Sequence, residues 1–168
     1  MIFAAKKWLW LAALVVIADQ AVKALSIAVG GPVTLIPGVL AFTYAENTGM
    51  AFSILSGYTW LLGVVSLAAI ALGWWILRGF RLGPVSRTAA MLMLGGAVGN
   101  MIDRFCRGYV VDMFEVLFVR FAVFNVADAA LTLGAGLMAI SLVFCAGEWK
   151  EKKEGTKDGH GSAAGSAD

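Results

Sequence analysis

The sequence predicts an all-α polytopic membrane protein: four transmembrane helices with small outer β elements and a short interfacial helix. Three observations predict it. Of 168 residues, 60% are hydrophobic and only 14% charged, with a mean hydropathy of +0.83, whereas soluble domains are about a quarter charged. Four apolar runs approach the roughly 20 residues needed to cross a hydrocarbon core about 30 Å thick. Lys and Arg gather on one side of those runs.

Residues 8–29, 58–77, 86–106 and 121–146 form the four spans, and residues 1–146 form one small membrane domain. Lys6 and Lys7 precede the first span, Arg78, Arg81 and Arg87 surround the second turn, and Lys150, Lys152, Lys153 and Lys157 follow the fourth, nine of thirteen cations in all. By the positive-inside rule both termini are cytoplasmic, and the connections 30–57 and 107–120 face outward. Trp8, Trp10, Trp74, Trp75 and Trp149 mark inner ends and Tyr58 with Trp60 an outer end, as interfacial belts require. A cleavable leader ending at Ala18 also fits the start, but apolar residues from Ala21 to Val29 favour an uncleaved span.

In the outer segments, Val33 to Ile36, a Pro37-Gly38 turn and Val39 to Ala45 read as a hairpin, and Val116 to Phe124 is β-prone. Residues 51–55 are short and partly amphipathic, suited to lying in the interface. Residues 147–168, rich in Gly, Ser, Ala and charge, read as a flexible cytoplasmic tail that contains the single histidine, His160.

A formal charge of +2 without a basic, aromatic-interleaved stripe argues against nucleic acid. Cys106 and Cys145 have neither CxxC spacing nor nearby histidines, so neither a zinc site nor a disulfide framework has support.

The interruptions of the apolar runs carry the chemistry. Asp19, Glu46, Asp103, Asp112, Glu115 and Asp128 are the acids before the tail, and all fall in the outer half. At about 1.5 Å per residue, Asp19 lies about 17 Å along its span and Asp103 more than about 20 Å along the third. A charge at the bilayer centre costs at least about 2.5–3.5 kcal/mol, so carboxylates at one level imply pairing, a wet cavity, or both. Asp19 and Lys23 form a favourable i,i+4 pair. Asp103 and Arg104 point about 100° apart and need partners elsewhere, and the Arg104 fork also suits a carbonyl or phosphate.

Asp112 and Asp128 have no opposite charge within four residues on a plausible helix. Two readings stand. Close together, they would share one proton, activating a water while protonating a leaving group. Apart, each would face headgroups or cap a helix. Asn47, Asn100 and Asn125 each share a level with an acid and suit either holding an extended backbone or plain interhelical bonding. Gly95 to Gly99 contains a GxxxG step and reads as a packing face.

The strings Asp19-Gln20-Ala21-Val22-Lys23, Asn47-Thr48-Gly49-Met50-Ala51-Phe52, Gly99-Asn100-Met101-Ile102-Asp103-Arg104, Gly108-Tyr109-Val110-Val111-Asp112 and Phe124-Asn125-Val126-Ala127-Asp128 together resemble the lipoprotein signal peptidases, or signal peptidase II. Each is weak alone; five in order are specific. The resemblance implies a bacterial inner-membrane aspartic endopeptidase, active near the outer leaflet, that cuts prolipoproteins on the amino side of the diacylglyceryl cysteine. It implies Asp112 and Asp128 as the catalytic pair. Asn47, Asn100, Arg104, Asn125 and Asp19 correspond to polar active-site positions, with Lys23 and Asp103 structural. No metal or organic cofactor is expected, and the partners are the prolipoprotein and the bilayer, with the enzyme itself a monomer. Met113 stands where the family often has Phe.

Two rival functions remain at this point. A proton-coupled transporter or channel would continue its acids toward the inner face, and a non-catalytic assembly subunit would not need the two aspartates.

Overall fold

The computed structural model describes residues 8–49 and 57–151. The interfacial helix expected at 51–55 and His160 lie outside these. Helix α1 (Leu9–Val29) ends at Gly30, whose left-handed backbone (φ 68°) lets its N–H return to the Ser26 carbonyl at 3.0 Å. Strands β1 (Val33–Ile36) and β2 (Leu40–Asn47) form the expected antiparallel hairpin. Helix α2 (Thr59–Leu77) follows, then the short strand β3 (Phe80–Arg81). Helix α3 (Pro84–Cys106) starts with proline in its first turn, where a missing N–H costs nothing. Strand β4 (Val110–Val116) and helix α4 (Val126–Phe144) complete the main elements.

Three helices, α1, α2 and α4, are long and apolar enough to cross a membrane. Helix α3 is long enough but more polar, and it packs against all three others. Its glycines set the spacing: a Cβ on Gly95 would lie 2.8 Å from the Ala12 carbonyl oxygen on α1, and one on Gly96 would lie 2.4 Å from the Ala127 carbonyl oxygen on α4. The packing face read from Gly95 to Gly99 is therefore real and two-sided. Outward faces of α1, α2 and α4 expose Ile17, Leu25, Trp60, Leu72, Leu133 and Val143, the arrangement a lipid solvent demands.

Strand β4 differs from the sequence expectation, which placed β structure at 116–124. Strand β2 is central in the order β1-β2-β4, and Leu40, its first residue, pairs with Val116. Beyond Val116 no partner strand exists among the described residues, and residues 117–125 run as a loop that touches the sheet through the Phe114–Phe124 bridge. Residues 110–113 escape periodicity because all four are buried, which removes the in-out alternation. The fourth span likewise begins later than residue 121. Asn125 is extended and caps α4, accepting the Asp128 N–H at 2.8 Å while the Asp128 carboxylate accepts the Asn125 N–H at 3.2 Å.

Residues 147–151, assigned to the tail by composition, are structured. A 3-10 turn (Ala146–Glu148) returns the chain so that strand β5 (Lys150–Glu151) pairs with β3. Helix α3 lacks its own side-chain cap, and the Glu148 carboxylate supplies one, accepting from Ser86 N at 3.0 Å and Ser86 Oγ at 3.0 Å. The Ser86 backbone N–H, foremost, holds the Glu148 carboxyl below its usual range. Trp149 donates to Ser141 and its ring meets Phe80 edge-on. Capping pairs distant in sequence carry no local signal, so composition misplaced the boundary.

Candidate active site

Fully buried Lys23 lies between two fully buried acids, with Nζ 2.7 Å from Asp19 Oδ2 on its own helix and 2.7 Å from Asp103 Oδ2 on α3. Its third donor reaches Asn100 Oδ1 at 3.1 Å, so all three ammonium hydrogens are used. Arg107, four residues beyond Asp103, pairs with Asp103 Oδ1. The expected Asp19–Lys23 pair is present, and Asp103 finds its partners on α1 and at the end of α3 rather than in adjacent Arg104. Removing one member of such a pair strands a buried charge. Lys23→Met is expected to destabilise the protein by about 3–5 kcal/mol, measured as loss of reversible unfolding stability in detergent; a change below about 1 kcal/mol would contradict the ion-pair account.

Asp112 and Asp128 arrive from different elements. Asp112 lies in β4 opposite Ala45 of β2, and Asp128 lies in the first turn of α4. Asn125 stands between them: its Nδ2 donates to Asp112 Oδ1 at 2.6 Å, and its Oδ1 accepts the Asp128 N–H. Asn100 Nδ2 donates to Asp128 Oδ1 at 2.7 Å, and Asn100 Oδ1 accepts from Asn125 Nδ2 at 3.1 Å. Asn47, at the end of β2, donates to Asp112 Oδ2 at 3.0 Å and is held by the Gly49 N–H on its Oδ1 at 2.9 Å. Amides thus hold each carboxylate without neutralising it.

Burial pushes the Asp112 carboxyl up from 3.8 to about 6; the Asn47 hydrogen bond opposes this, and the Asp128 charge adds to it. Asp112, Asn47 and Glu46 face an open cleft of about 870 Å³, whose other wall is the 117–123 loop with Arg120. Arg104 sits within the electrostatic reach of Asp128 foremost, then Asp112 and Asp103. Its Nε is buried without a hydrogen-bond partner among the described residues.

The structure therefore brings together Asp112, Asp128, Asn47, Asn100 and Asn125, with Arg104 beside them. Asp19, Lys23 and Asp103 form a buried layer behind. Asp19 does not line the cleft: one oxygen accepts the Ala127 N–H at 2.9 Å and the other faces Lys23 and Gln20. Sequence reasoning passed over Gln20 and Arg107. The i,i+4 spacing of Asp103 and Arg107 was a usable signal; the contacts of Gln20 with residues 99, 103 and 107 were not. Among the described residues, no cluster of His, Cys, Asp and Glu could hold a metal ion.

Helices with lipid-facing exteriors, converging on a polar cluster open to a cleft, define a polytopic membrane enzyme. Two solved bacterial membrane enzymes share the architecture. One, determined in meso at 2.3 Å resolution, is 31% identical with a TM-score of 0.72, covering 89% of this chain and 94% of that one. The other, at 1.9 Å, is 30% identical with a TM-score of 0.73, covering 83% and 94%.

The profile of the Signal peptidase (SPase) II family matches residues 11–144, and the chain belongs to that family of proteases. It is similar to the lipoprotein signal peptidase of Lactobacillus gasseri, 41% identical over 145 residues that cover 82% of this chain and 92% of the relative. That of Lactiplantibacillus plantarum is 40% identical over 144 residues, covering 81% and 95%.

Proposed function

We propose that this protein is an aspartic endopeptidase of the bacterial inner membrane that removes the signal peptide from prolipoproteins, cutting on the amino side of the diacylglyceryl cysteine. One observation carries the reading: two carboxyls without a dedicated counter-ion converge from β4 and α4 onto one residue, Asn125, whose side-chain Nδ2 donates to Asp112 and whose backbone N–H donates to Asp128, and Asp112 borders an open cleft. With one proton shared between them, the ionised carboxylate takes a proton from a water as that water attacks the scissile carbonyl. The protonated carboxyl then donates to the departing amide nitrogen. Arg104, within the electrostatic reach of both acids, holds the carbonyl oxygen through its guanidinium as that oxygen gains charge. Asn47 and Asn100 keep both acids oriented.

Four spans, with α3 crossing inside the shelter of the other three, put both termini in the cytoplasm and the acids near the outer leaflet. The membrane domain extends to residue 151, where β5 pairs with β3, and a cytoplasmic tail follows, with the enzyme acting as a monomer. The acyl chains of a lipidated cysteine anchor it at that depth, so enzyme and scissile bond meet in two dimensions. A proton relay finds no support in the same geometry: from Ala89 to Gly99, α3 carries only apolar residues and glycine. That is about 15 Å of helix without a titratable group.

The test is cleavage of a diacylglyceryl precursor beside its unlipidated twin. We expect the lipidated form to be cut at the cysteine and the twin to be spared; equal rates would reject the lipid-directed reading. The rate should follow a bell against pH. Asp112 is held up to about 6 by burial and in part by the Asp128 charge, so activity needing a proton on the pair falls as pH rises through that region, and activity needing an ionised acid falls as pH drops past the first ionisation. In Asn47→Leu the alkaline limb should move upward, because a hydrogen bond favouring the ionised Asp112 is lost. A limb that stays put or moves down would contradict the Asn47 assignment.

A further inference from the structure

Behind the Asp112/Asp128 pair, two acids each hold a backbone N–H one residue ahead of a member of it. Asp19 Oδ1 accepts from Ala127 at 2.9 Å, and Asp103 Oδ2 accepts from Val111 at 3.2 Å. The spacing between Asp19 and Asp103 therefore sets the spacing between the two stretches of backbone that carry the pair. Two side chains of α1 span that gap. Lys23 does so as a cation, and it also touches Asn100 within the site.

Gln20 does so as a neutral amide and touches none of the site residues. Its Nε2 lies 3.2 Å from Asp19 Oδ2, 3.2 Å from Asp103 Oδ1 and 3.2 Å from the Gly99 carbonyl oxygen. Its Oε1 accepts from Arg107 at 3.1 Å. Arg107 can only donate, so it dictates which end of the amide faces the acids. Asp19 and Asp103 are balanced by Lys23 and Arg107, and the amide bridge adds no charge to that count.

We infer that Gln20 is a positioning residue which, acting through Asp19 and Asp103 and oriented by Arg107, sets how far apart Asp112 and Asp128 stand. This rests on the hydrolytic reading above. Coupling between two carboxyls depends on their separation, so a loosened yoke changes proton sharing before it changes substrate binding. The charged groups facing the pair are Lys23 and Asp19 from α1, Arg104 and Asp103 from α3, Glu46 from β2, Glu115 on β4 itself and Arg120 from the 117–123 loop. None of these is altered in the test.

The test uses the full-length enzyme and a diacylglyceryl precursor. Gln20→Met keeps the length of the side chain and removes its amide. We expect kcat to fall about tenfold, KM to stay within about twofold, and the two limbs of the pH profile to approach each other by about half a pH unit. Arg107→Met, at a residue with 28% side-chain exposure, should move the limbs the same way and serves if Gln20→Met fails to accumulate. A folded Gln20→Met enzyme with wild-type kcat and limb spacing, a loss confined to KM, or unmoved limbs in Arg107→Met would each overturn the assignment. Failure of the wild-type chain to cut the precursor would instead sink the hydrolytic reading itself.

Discussion

Asp112→Asn and Asp128→Asn are each expected to lower turnover of a lipidated precursor by at least about 10³-fold, while the protein stays folded and still binds that precursor. Each substitution removes a proton site and leaves side-chain volume almost unchanged. At position 128 an amide still accepts from Asn100 through its oxygen and loses only the bond from the Asn125 N–H. At position 112 the new NH2 must face either Asn47 or Asn125, both of which now donate to the carboxylate. One weakened hydrogen bond costs about 1 kcal/mol, far too little to explain a thousandfold loss through unfolding. The two acids act as one unit, so the double variant should be no slower than either single one. Single-turnover cleavage checks this. Either variant working within about tenfold of wild type would remove the basis for a shared-proton mechanism.

Gly96→Ala is expected to have the next largest effect, although it touches no acid. The added methyl would stand 2.4 Å from the Ala127 carbonyl oxygen and 2.8 Å from Leu131 Cγ. The first is backbone and cannot rotate away, so the start of α4 must move, and Asp128 follows the very next peptide. Overpacking of this kind costs about 1–3 kcal/mol, and a displacement near 1 Å at a reacting group costs about 10²-fold in rate. Gly136, also on α4, has nothing within 4 Å of an added Cβ. Gly136→Ala is thus the control, expected to retain full activity. Thermal unfolding and kcat measured side by side decide the matter: full activity in Gly96→Ala would mean that α3 and α4 are not held at the distance described.

The chemistry-bearing residues were readable because intramembrane charge is costly enough to stand out against an apolar background. Asp19 with Lys23 was legible as a local i,i+4 pair, and the hairpin at 33–45 from its turn and its β-branched residues. Strand β4 was not. Burial of residues 110–113 on both sides erases their alternation, and where the strand ends depends on where β2 begins. The Glu148 cap on α3 was hidden for a similar reason, since its donor and acceptor are more than sixty residues apart.

The sequence by itself determined that the chain is a membrane protein, roughly where its long helices fall, and which few polar residues interrupt the apolar segments; transfer free energies act residue by residue and need no partner. Only the tertiary structure decided that Asp112 and Asp128 both accept from Asn125, one from its side chain and one from its backbone, that Asp19 holds the start of α4, and that Gln20 spans two acids. These are contacts between elements, fixed by how closely glycine lets helices approach and by which buried donor meets which acceptor, and neither composition nor spacing encodes them locally.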